Sequence, residues 1–83
     1  MKHIGMQIVV MDAGFVYVGE CILNDGFLLI SGAKNIRQWG TTKGLGELRN
    51  GPTRDTVLDD AGEVTAPIGR VVHFIECAKG WKK

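Results

Sequence analysis

Glycine-containing turns divide the first forty residues of the chain into short apolar runs. The runs are "IGMQIVVM" (4–11), which ends at "DAG", "FVYVGECIL" (15–23), which ends at "NDG", and "FLLIS" (27–31), which ends at Gly32. Asp25-Gly26 between two such runs is a strong signal for a two-residue β-hairpin. Twelve glycines in 83 residues are roughly twice the usual ~7%. The chain is therefore predicted to be mostly β, with short antiparallel strands.

Two further strands complete the predicted sheet. "KNIRQW" (34–39) is expected to close a strand meander over residues 4–39, and "GRVVHFIEC" (69–77) to form the final strand, with pairing that begins after Pro67. The run 15–23 is apolar on both faces, which favours a closed barrel or a second face covered by another subunit. We expect a small antiparallel barrel of five to six strands that forms a homo-oligomer.

Residues 40–68 show little strand pattern beyond "EVT" at 63–65, and they are predicted to form a long loop. Loops of this length in a compact domain usually carry function. Within the loop, "GLGEL" is predicted to form one helical turn, with Thr42 as its N-cap and "NGP" (50–52) as its stop. The whole chain, 1–83, is expected to be a single domain.

The charged residues of the second half form two adjacent blocks of opposite sign. The basic block contains Lys34, Arg37, Lys43, Arg49 and Arg54, and the acidic block contains Asp55, Asp59, Asp60 and Glu63. The blocks either neutralise each other or meet the opposite block of a neighbouring subunit. Net charge is only +1, whereas duplex-binding proteins commonly make about 6–10 phosphate contacts. Duplex DNA is therefore not expected as a partner.

Cys21 and Cys77 lie in apolar runs without the spacing of a metal site, so they are expected to be reduced thiols that act as small core side chains. Reduced thiols favour a cytoplasmic location. The sequence has neither a signal-peptide pattern nor the ~20 apolar residues of a membrane-spanning helix. We expect no membrane association, metal or cofactor.

Candidate catalytic groups are few. The chain has two histidines, His3 near the N-terminus and His73 in the last predicted strand. Cys77 follows His73 by four residues, which is roughly ~13 Å in an extended strand, too far for a dyad. His73 is therefore expected to be a core or interface residue, and the protein is not expected to be an enzyme. An enzyme that cleaves a nucleotide is the lowest-ranked alternative.

The segment "NIRQWGTTKGLGELRNGPTR" (35–54) contains the candidate binding residues. Its "GTTKGLG" lacks the residue order of a phosphate-binding P-loop. A phosphate could still bind here, because glycine leaves backbone N–H groups accessible and hydroxyl groups and cations lie nearby in the sequence. Trp39 is either a stacking platform for a base or an apolar plug that seals the barrel. The predicted ligand-binding residues are Arg37, Trp39, Thr41, Thr42, Lys43, Arg49 and Arg54.

"VVMDAGFVYVGECILNDGFLLISGAKNI" resembles the first motif of Sm-like barrels, a family that forms rings and binds RNA. The resemblance implies an SH3- or Sm-like architecture. The chain departs from the family at Leu29, where the family has asparagine four residues after the aspartate matched by Asp25. "IGR" at 68–70 also replaces the isoleucine–arginine–glycine of the second motif. We take architecture from this resemblance and keep single-stranded nucleic-acid binding as an alternative.

"RQWGTTKGLGEL", followed by "GP" and a late hydrophobic strand, is similar to small, functionally unassigned proteins of phages and prophages, over roughly residues 35–77. The similarity implies a viral origin, a location in the host cytoplasm and no enzyme activity. In general character the chain also resembles phage sponges that bind cyclic or ADP-ribose-derived nucleotide signals of bacterial immunity. The expected function is therefore sequestration of a phosphate-bearing nucleotide signal, which inhibits host antiviral defence. The alternative is a protein–protein inhibitor or accessory factor of a host protein, anchored by Trp39.

Overall fold

Five antiparallel strands in one sheet make up most of the structure, a computed structural model that describes residues 1–81. The strands are β1 (Lys2–Met11), β2 (Val16–Asn24), β3 (Phe27–Gln38), β4 (Val57–Pro67) and β5 (Val71–Glu76). Short 3-10 turns cover Asp12–Gly14, Leu45–Asn50 and Ile68–Arg70. The strand order across the sheet is β4-β3-β2-β1-β5. The predicted mostly-β, antiparallel fold is confirmed.

The connection between the two edge strands requires the sheet to curl. β4 ends at Pro67 and β5 begins at Val71, so the link spans at most about 14 Å when fully extended. In a flat sheet the two outer strands would lie four spacings apart, or about 19 Å. Only a curled sheet brings its edges close enough for this link, which accounts for the barrel-like shape expected from the sequence.

The hairpin between β2 and β3 forms as predicted, but β3 is longer than predicted. Asp25 and Gly26 have φ angles of 50° and 81°, both positive as a type I′ turn requires. The predicted strands 27–31 and 34–39 are one continuous strand, whose register against β4 shifts between Ile30 and Ala33. The sequence predicts a strand end at Gly32, which is wrong, because the strand continues past this residue. A β-bulge accommodates its positive φ without ending the strand.

The prediction of a long loop over 40–68 is wrong, because its second half is β4. This strand pairs with β3 along its length and forms one edge of the sheet. Most of its side chains are half-buried or exposed, so it lacks the apolar alternation by which strands are recognised. Pro67 ends β4 and does not begin the pairing of the last strand, consistent with the tolerance of edge strands for proline.

Both faces of the sheet are apolar, as the run 15–23 predicted. One face carries the buried residues Val9, Cys21, Leu28, Ile30 and Ala33. The other carries Ile8, Val16, Val18 and Ile36, and Leu48 and Cys77, which lie outside the strands, complete this cluster, with Leu45 and Trp81 packed against it. The 3-10 turn Leu45–Asn50 and the C-terminal tail therefore cover the second face. Coverage by another subunit is not required to explain the pattern.

The tail after β5 is anchored to the 3-10 turn. The Ala78 N–H donates to the Arg49 carbonyl at 2.7 Å, and the Trp81 indole N–H donates to the Leu48 carbonyl at 2.6 Å. Trp81 is half-buried and closes this side of the core. Among the helical segments of residues 1–81, none is long and apolar enough to cross a membrane.

Candidate functional site

The predicted binding segment begins where β3 ends, and its first residues are fixed against those that precede β4. The Thr56 hydroxyl donates to the Trp39 carbonyl at 2.6 Å, and the Thr53 hydroxyl donates to the Gly40 carbonyl at 2.5 Å. The Gln38 side-chain amide donates to the Asp55 carbonyl at 2.9 Å. We call residues 38–40 and 53–56 the loop junction. These bonds hold the backbone beneath Trp39 in one arrangement.

Trp39 is exposed at the loop junction. Its fractional exposure is 42%, which is too high for an apolar plug that seals the barrel. Of the two roles that the sequence allows for Trp39, the plug is therefore wrong. Trp81 has that role instead, through its contact with the second face. Because the backbone is already fixed, only the side-chain torsions of Trp39 remain to be ordered when a flat ligand stacks on the ring. This geometry suits the platform interpretation.

Glu47 occupies the backbone amides that were expected to face a phosphate. The N–H groups of Thr42 and Lys43 both donate to Oε1 of Glu47, each at 3.1 Å. The 3-10 turn begins after Gly44, with no side-chain cap. The prediction of Thr42 as N-cap is therefore wrong, since the turn begins too late in the chain for its hydroxyl to cap. A phosphate near these residues would be held by side chains.

Replacing Glu47 with alanine is expected to free these two amides. We expect the free energy of unfolding to fall by about 1 kcal/mol, because two charge-assisted hydrogen bonds at an exposed site are lost. Inorganic phosphate should then shift the Thr42 and Lys43 amide signals in nuclear magnetic resonance spectra at lower concentration than in the wild-type chain. Glu47→Gln, which keeps an acceptor oxygen, is the control. Equal phosphate responses in all three proteins would contradict this role for Glu47.

The basic and acidic blocks neutralise each other in part, through two ion pairs across β3 and β4 and one beside them. Arg37 donates to both carboxylate oxygens of Asp59, from Nε at 2.8 Å and from Nη2 at 3.2 Å. Lys34 pairs with Asp60, and Arg54 Nε lies 3.9 Å from the Asp55 carboxylate. Three of the five cations of the basic block therefore pair within the chain, and contact with the opposite block of another subunit stays a prediction. Because these pairs lie at the surface, each contributes at most about 1 kcal/mol to stability.

The seven predicted binding residues are only partly brought together. Arg37, Trp39 and Arg54 lie at or beside the loop junction, and Thr41, Thr42 and Lys43 follow it in the chain. Arg49 lies at the far end of the 3-10 turn, where its carbonyl accepts from Ala78. Within residues 1–81, Lys43 and Arg49 form no ion pair, and the Arg54 side chain is 95% exposed. Lys43 and Arg54 are the most available cations near Trp39.

The histidines and cysteines do not assemble a reactive centre. His73 was expected in the core or at an interface; it is exposed on the edge strand β5, so it is not a core residue, and an interface role stays a prediction. Cys21 pairs with Gly5 of β1, while the Cys77 N–H donates to Met6 of β1 from the other side. Their Cα atoms are therefore roughly two strand spacings, ~9.5 Å, apart, beyond the ~7 Å reach of a disulfide. In the described part of the chain, no three potential metal ligands cluster.

Both cysteines are buried free thiols, as predicted. Burial, together with a smaller effect of the nearby Glu20 charge, raises the pKa of Cys21 from 9.0 to about 12. Burial also raises the pKa of Cys77 to about 11, although the nearby Arg49 charge opposes the shift. Since the thiolate is the reactive form, these side chains are poor nucleophiles at neutral pH.

The raised thiol pKa values predict a loss of stability at alkaline pH. An unfolded thiol ionises near its ordinary pKa of 9.0, whereas the folded thiols stay protonated to about 11 and 12. Their contribution is fully present below about pH 9 and is lost as pH rises toward the folded values. Urea unfolding between about pH 8 and pH 11 should show a steeper decline for wild type than for a Cys21→Ala, Cys77→Ala double variant. Parallel declines would contradict this assignment.

Comparisons with known proteins give no identity: no family model, curated protein or solved structure matches the chain. The fold and the surface define the class, a small mostly-β protein with a barrel-like sheet and an exposed aromatic side chain at a hydrogen-bonded loop junction. The resemblances to Sm-like barrels and to phage proteins stay predictions.

Proposed function

We propose that the chain is a binding protein that sequesters a small, phosphate-bearing nucleotide at the loop junction, without catalysis. The observation that carries this proposal is the exposed Trp39 ring on a backbone fixed by the Thr53 and Thr56 hydroxyls. Stacking of one base on an aromatic side chain contributes about 1–3 kcal/mol and tolerates any base. The ring therefore supplies an exposed platform for the flat part of the ligand.

The phosphate would be held by side chains around the platform. Arg54 and Lys43 are the first candidates, because Arg54 has only a long ion pair and Lys43 has none within residues 1–81. Arg37 can join them if its guanidinium exchanges Asp59 for a phosphate, since both are bidentate acceptors. The hydroxyls of Thr41 and Thr42 form no hydrogen bond with described residues, so they remain available as donors.

One chain supplies too little energy for tight sequestration. One stacked ring at about 1–3 kcal/mol and two exposed ion pairs at about 1 kcal/mol each give at most about 5 kcal/mol. That corresponds to a Kd near the millimolar range, whereas micromolar binding needs about 8 kcal/mol. The proposal therefore includes a homo-oligomer in which two copies of the loop junction contact one ligand.

Two observations, the sequence resemblance and the exposed aromatic surface, support the proposed class of ligand. Similarity of residues 35–77 to small phage proteins supports a viral chain that acts in the host cytoplasm. A flat platform beside two or three cations suits one nucleotide with a few phosphates better than a duplex. The ligand class proposed is a cyclic nucleotide or ADP-ribose-derived signal of bacterial immunity, whose capture inhibits host defence.

A calorimetric panel tests the proposal. Cyclic dinucleotides, cyclic ADP-ribose, ADP-ribose and inorganic phosphate are titrated into the wild-type chain, with oligomeric state measured by native mass spectrometry. We expect one nucleotide class to bind at one ligand per two or more chains and phosphate alone to bind far more weakly. Absence of binding by every nucleotide would overturn the proposal.

Three further experiments separate the rival functions. A single-stranded oligonucleotide that binds with a steep loss of affinity in salt would indicate nucleic-acid binding. Stoichiometric recovery of one host protein with no bound nucleotide would indicate a protein inhibitor. Turnover of a bound nucleotide over hours would indicate an enzyme. Each of these results would replace the sequestration proposal.

A further inference from the structure

The last strand, β5, forms an open edge of the sheet, because among the five described strands it pairs with β1 alone. The Cys77 N–H donates to the Met6 carbonyl of β1, and the backbone groups of an antiparallel strand point alternately to its two sides. The residues two and four positions before Cys77 therefore also face β1. The N–H and C=O groups of Val72, Phe74 and Glu76 point away from the sheet.

The opposite edge of the sheet, β4, is protected against pairing, whereas β5 is not. β4 contains Asp59, Asp60 and Glu63 and ends at Pro67, and its register against β3 shifts three times, compared with once for β5 against β1. Charges, proline and bulges are the features by which proteins block edge strands. Residues 71–75 of β5 include no Asp, Glu, Lys or Arg. A further strand can therefore add to the sheet at β5 more readily than at β4.

β5 is apolar at its centre and oppositely charged at its two ends. Val72 is 63% exposed, and Phe74 is half-buried and shares its face, since side chains alternate along a strand. Arg70 precedes the strand and Glu76 ends it. The Arg70 guanidinium donates to Asp12 through Nη1 and has further N–H groups to donate. Within residues 1–81 Glu76 forms no ion pair.

We propose that β5 pairs with β5 of a second copy of the chain in an antiparallel arrangement, which joins the two sheets across a twofold axis. The axis lies at His73, so that Val72 of each copy is opposite Phe74 of the other and their outward backbone groups exchange hydrogen bonds. The same register brings Arg70 of each copy beside Glu76 of the other. A parallel arrangement would instead bring like charges together at both ends of the strand.

This dimer goes beyond the proposed nucleotide binding and does not depend on it, because β5 contains no residue of the loop junction and the dimer forms without a ligand. The strand has six residues, so the interface is expected to be smaller than the roughly 1,200–2,000 Å² of stable complexes. We therefore expect a dimer whose population rises with protein concentration.

Amide hydrogen exchange in nuclear magnetic resonance spectra, with sedimentation velocity on the same samples, tests the proposal on the wild-type chain without nucleotide. As the dimer forms with rising concentration, the Val72 and Phe74 N–H groups should exchange about tenfold more slowly or better. The Ile75 N–H, which faces β1, is the internal control and should be protected at every concentration. A chain that stays monomeric at the highest concentration, or an oligomer whose Val72 and Phe74 amides still exchange rapidly, would overturn the proposal.

Three variants test which edge of the sheet forms the dimer. Val72→Lys places a charge on the open edge and should weaken dimerisation about tenfold or more. Thr65→Lys adds the same charge at an exposed position of β4 and should leave dimerisation unchanged. Glu76→Lys makes both ends of β5 basic and should weaken it about threefold. If Val72→Lys dimerises like wild type, or Thr65→Lys dissociates the dimer, the proposed interface is wrong. Amide spectra confirm that each variant is folded.

Discussion

Gly40→Ala is expected to cause the largest loss of stability of any substitution in the loop junction. A Cβ atom at this position would lie 2.3 Å from the Asp55 carbonyl carbon and 2.5 Å from its oxygen, and Gly40 has a φ of 65°. Both contacts are with backbone, so no side-chain rotation relieves them. We expect a cost of about 3–5 kcal/mol, at the upper end for single substitutions.

Thermal unfolding followed by circular dichroism measures this effect. For a domain of this size, each kcal/mol corresponds to roughly 4–8 °C in Tm, so the Gly40→Ala midpoint should fall by about 15 °C or more. Gly46→Ala is the matched control within the same segment, because a Cβ there has no neighbour within 4 Å. Similar Tm values for the two variants would show that the loop junction is not packed as described.

Trp39→Ala is expected to abolish most nucleotide binding while leaving the fold intact. The ring is 42% exposed, and the hydrogen bonds of the loop junction use its carbonyl and not its side chain. We therefore expect a change in unfolding free energy of about 0.5 kcal/mol or less. Loss of a stacking interaction of about 1–3 kcal/mol corresponds to roughly a five- to 150-fold rise in Kd for each ring that contacts the ligand.

Phe27→Ala is the matched control for this experiment. Phe27 is also a large exposed aromatic residue, 48% exposed, but it lies at the start of β3 and far along the strand from the loop junction. Calorimetry should show unchanged nucleotide affinity for Phe27→Ala. If Trp39→Ala unfolds the chain, the ring is structural after all. If it folds and binds normally, the platform does not exist.

Apolar strands can be predicted from this sequence, whereas the polar edge strand β4 cannot be recognised from its pattern of apolar residues. β1, β2 and β5 follow from apolar runs bounded by glycine or proline. β4 does not, because an edge strand with exposed side chains has no apolar face to mark it. The signal that could have found it is charge. Lys34 and Asp60 occupy paired positions on β3 and β4, so the two charged blocks mark an antiparallel pair.

The candidate site is predicted less completely than the fold, for a similar reason. The composition of residues 35–54 correctly indicates a turn-rich segment that ends a strand. Hydrogen bonds between distant residues then decide what the segment exposes. The Glu47 carboxylate accepts hydrogen bonds from the two backbone N–H groups that were expected to bind a phosphate. The hydroxyls of Thr53 and Thr56 fix the backbone at residues 39–40. Neither arrangement has a signature in the spacing of residues along the chain.

The most direct test of the central claim is a nucleotide titration followed through the two indole N–H signals, with the ligand selected by the calorimetric panel. The Trp39 indole lies at the loop junction, whereas the Trp81 indole is bonded to Leu48 and packs against the buried cluster that contains Leu48. We predict a saturable shift of the Trp39 signal together with the Thr41, Thr42 and Lys43 amides, while the Trp81 signal stays in place. A saturable shift of Trp81 alone, or nucleotide binding that moves neither indole, would contradict the claim that the loop junction is the nucleotide site.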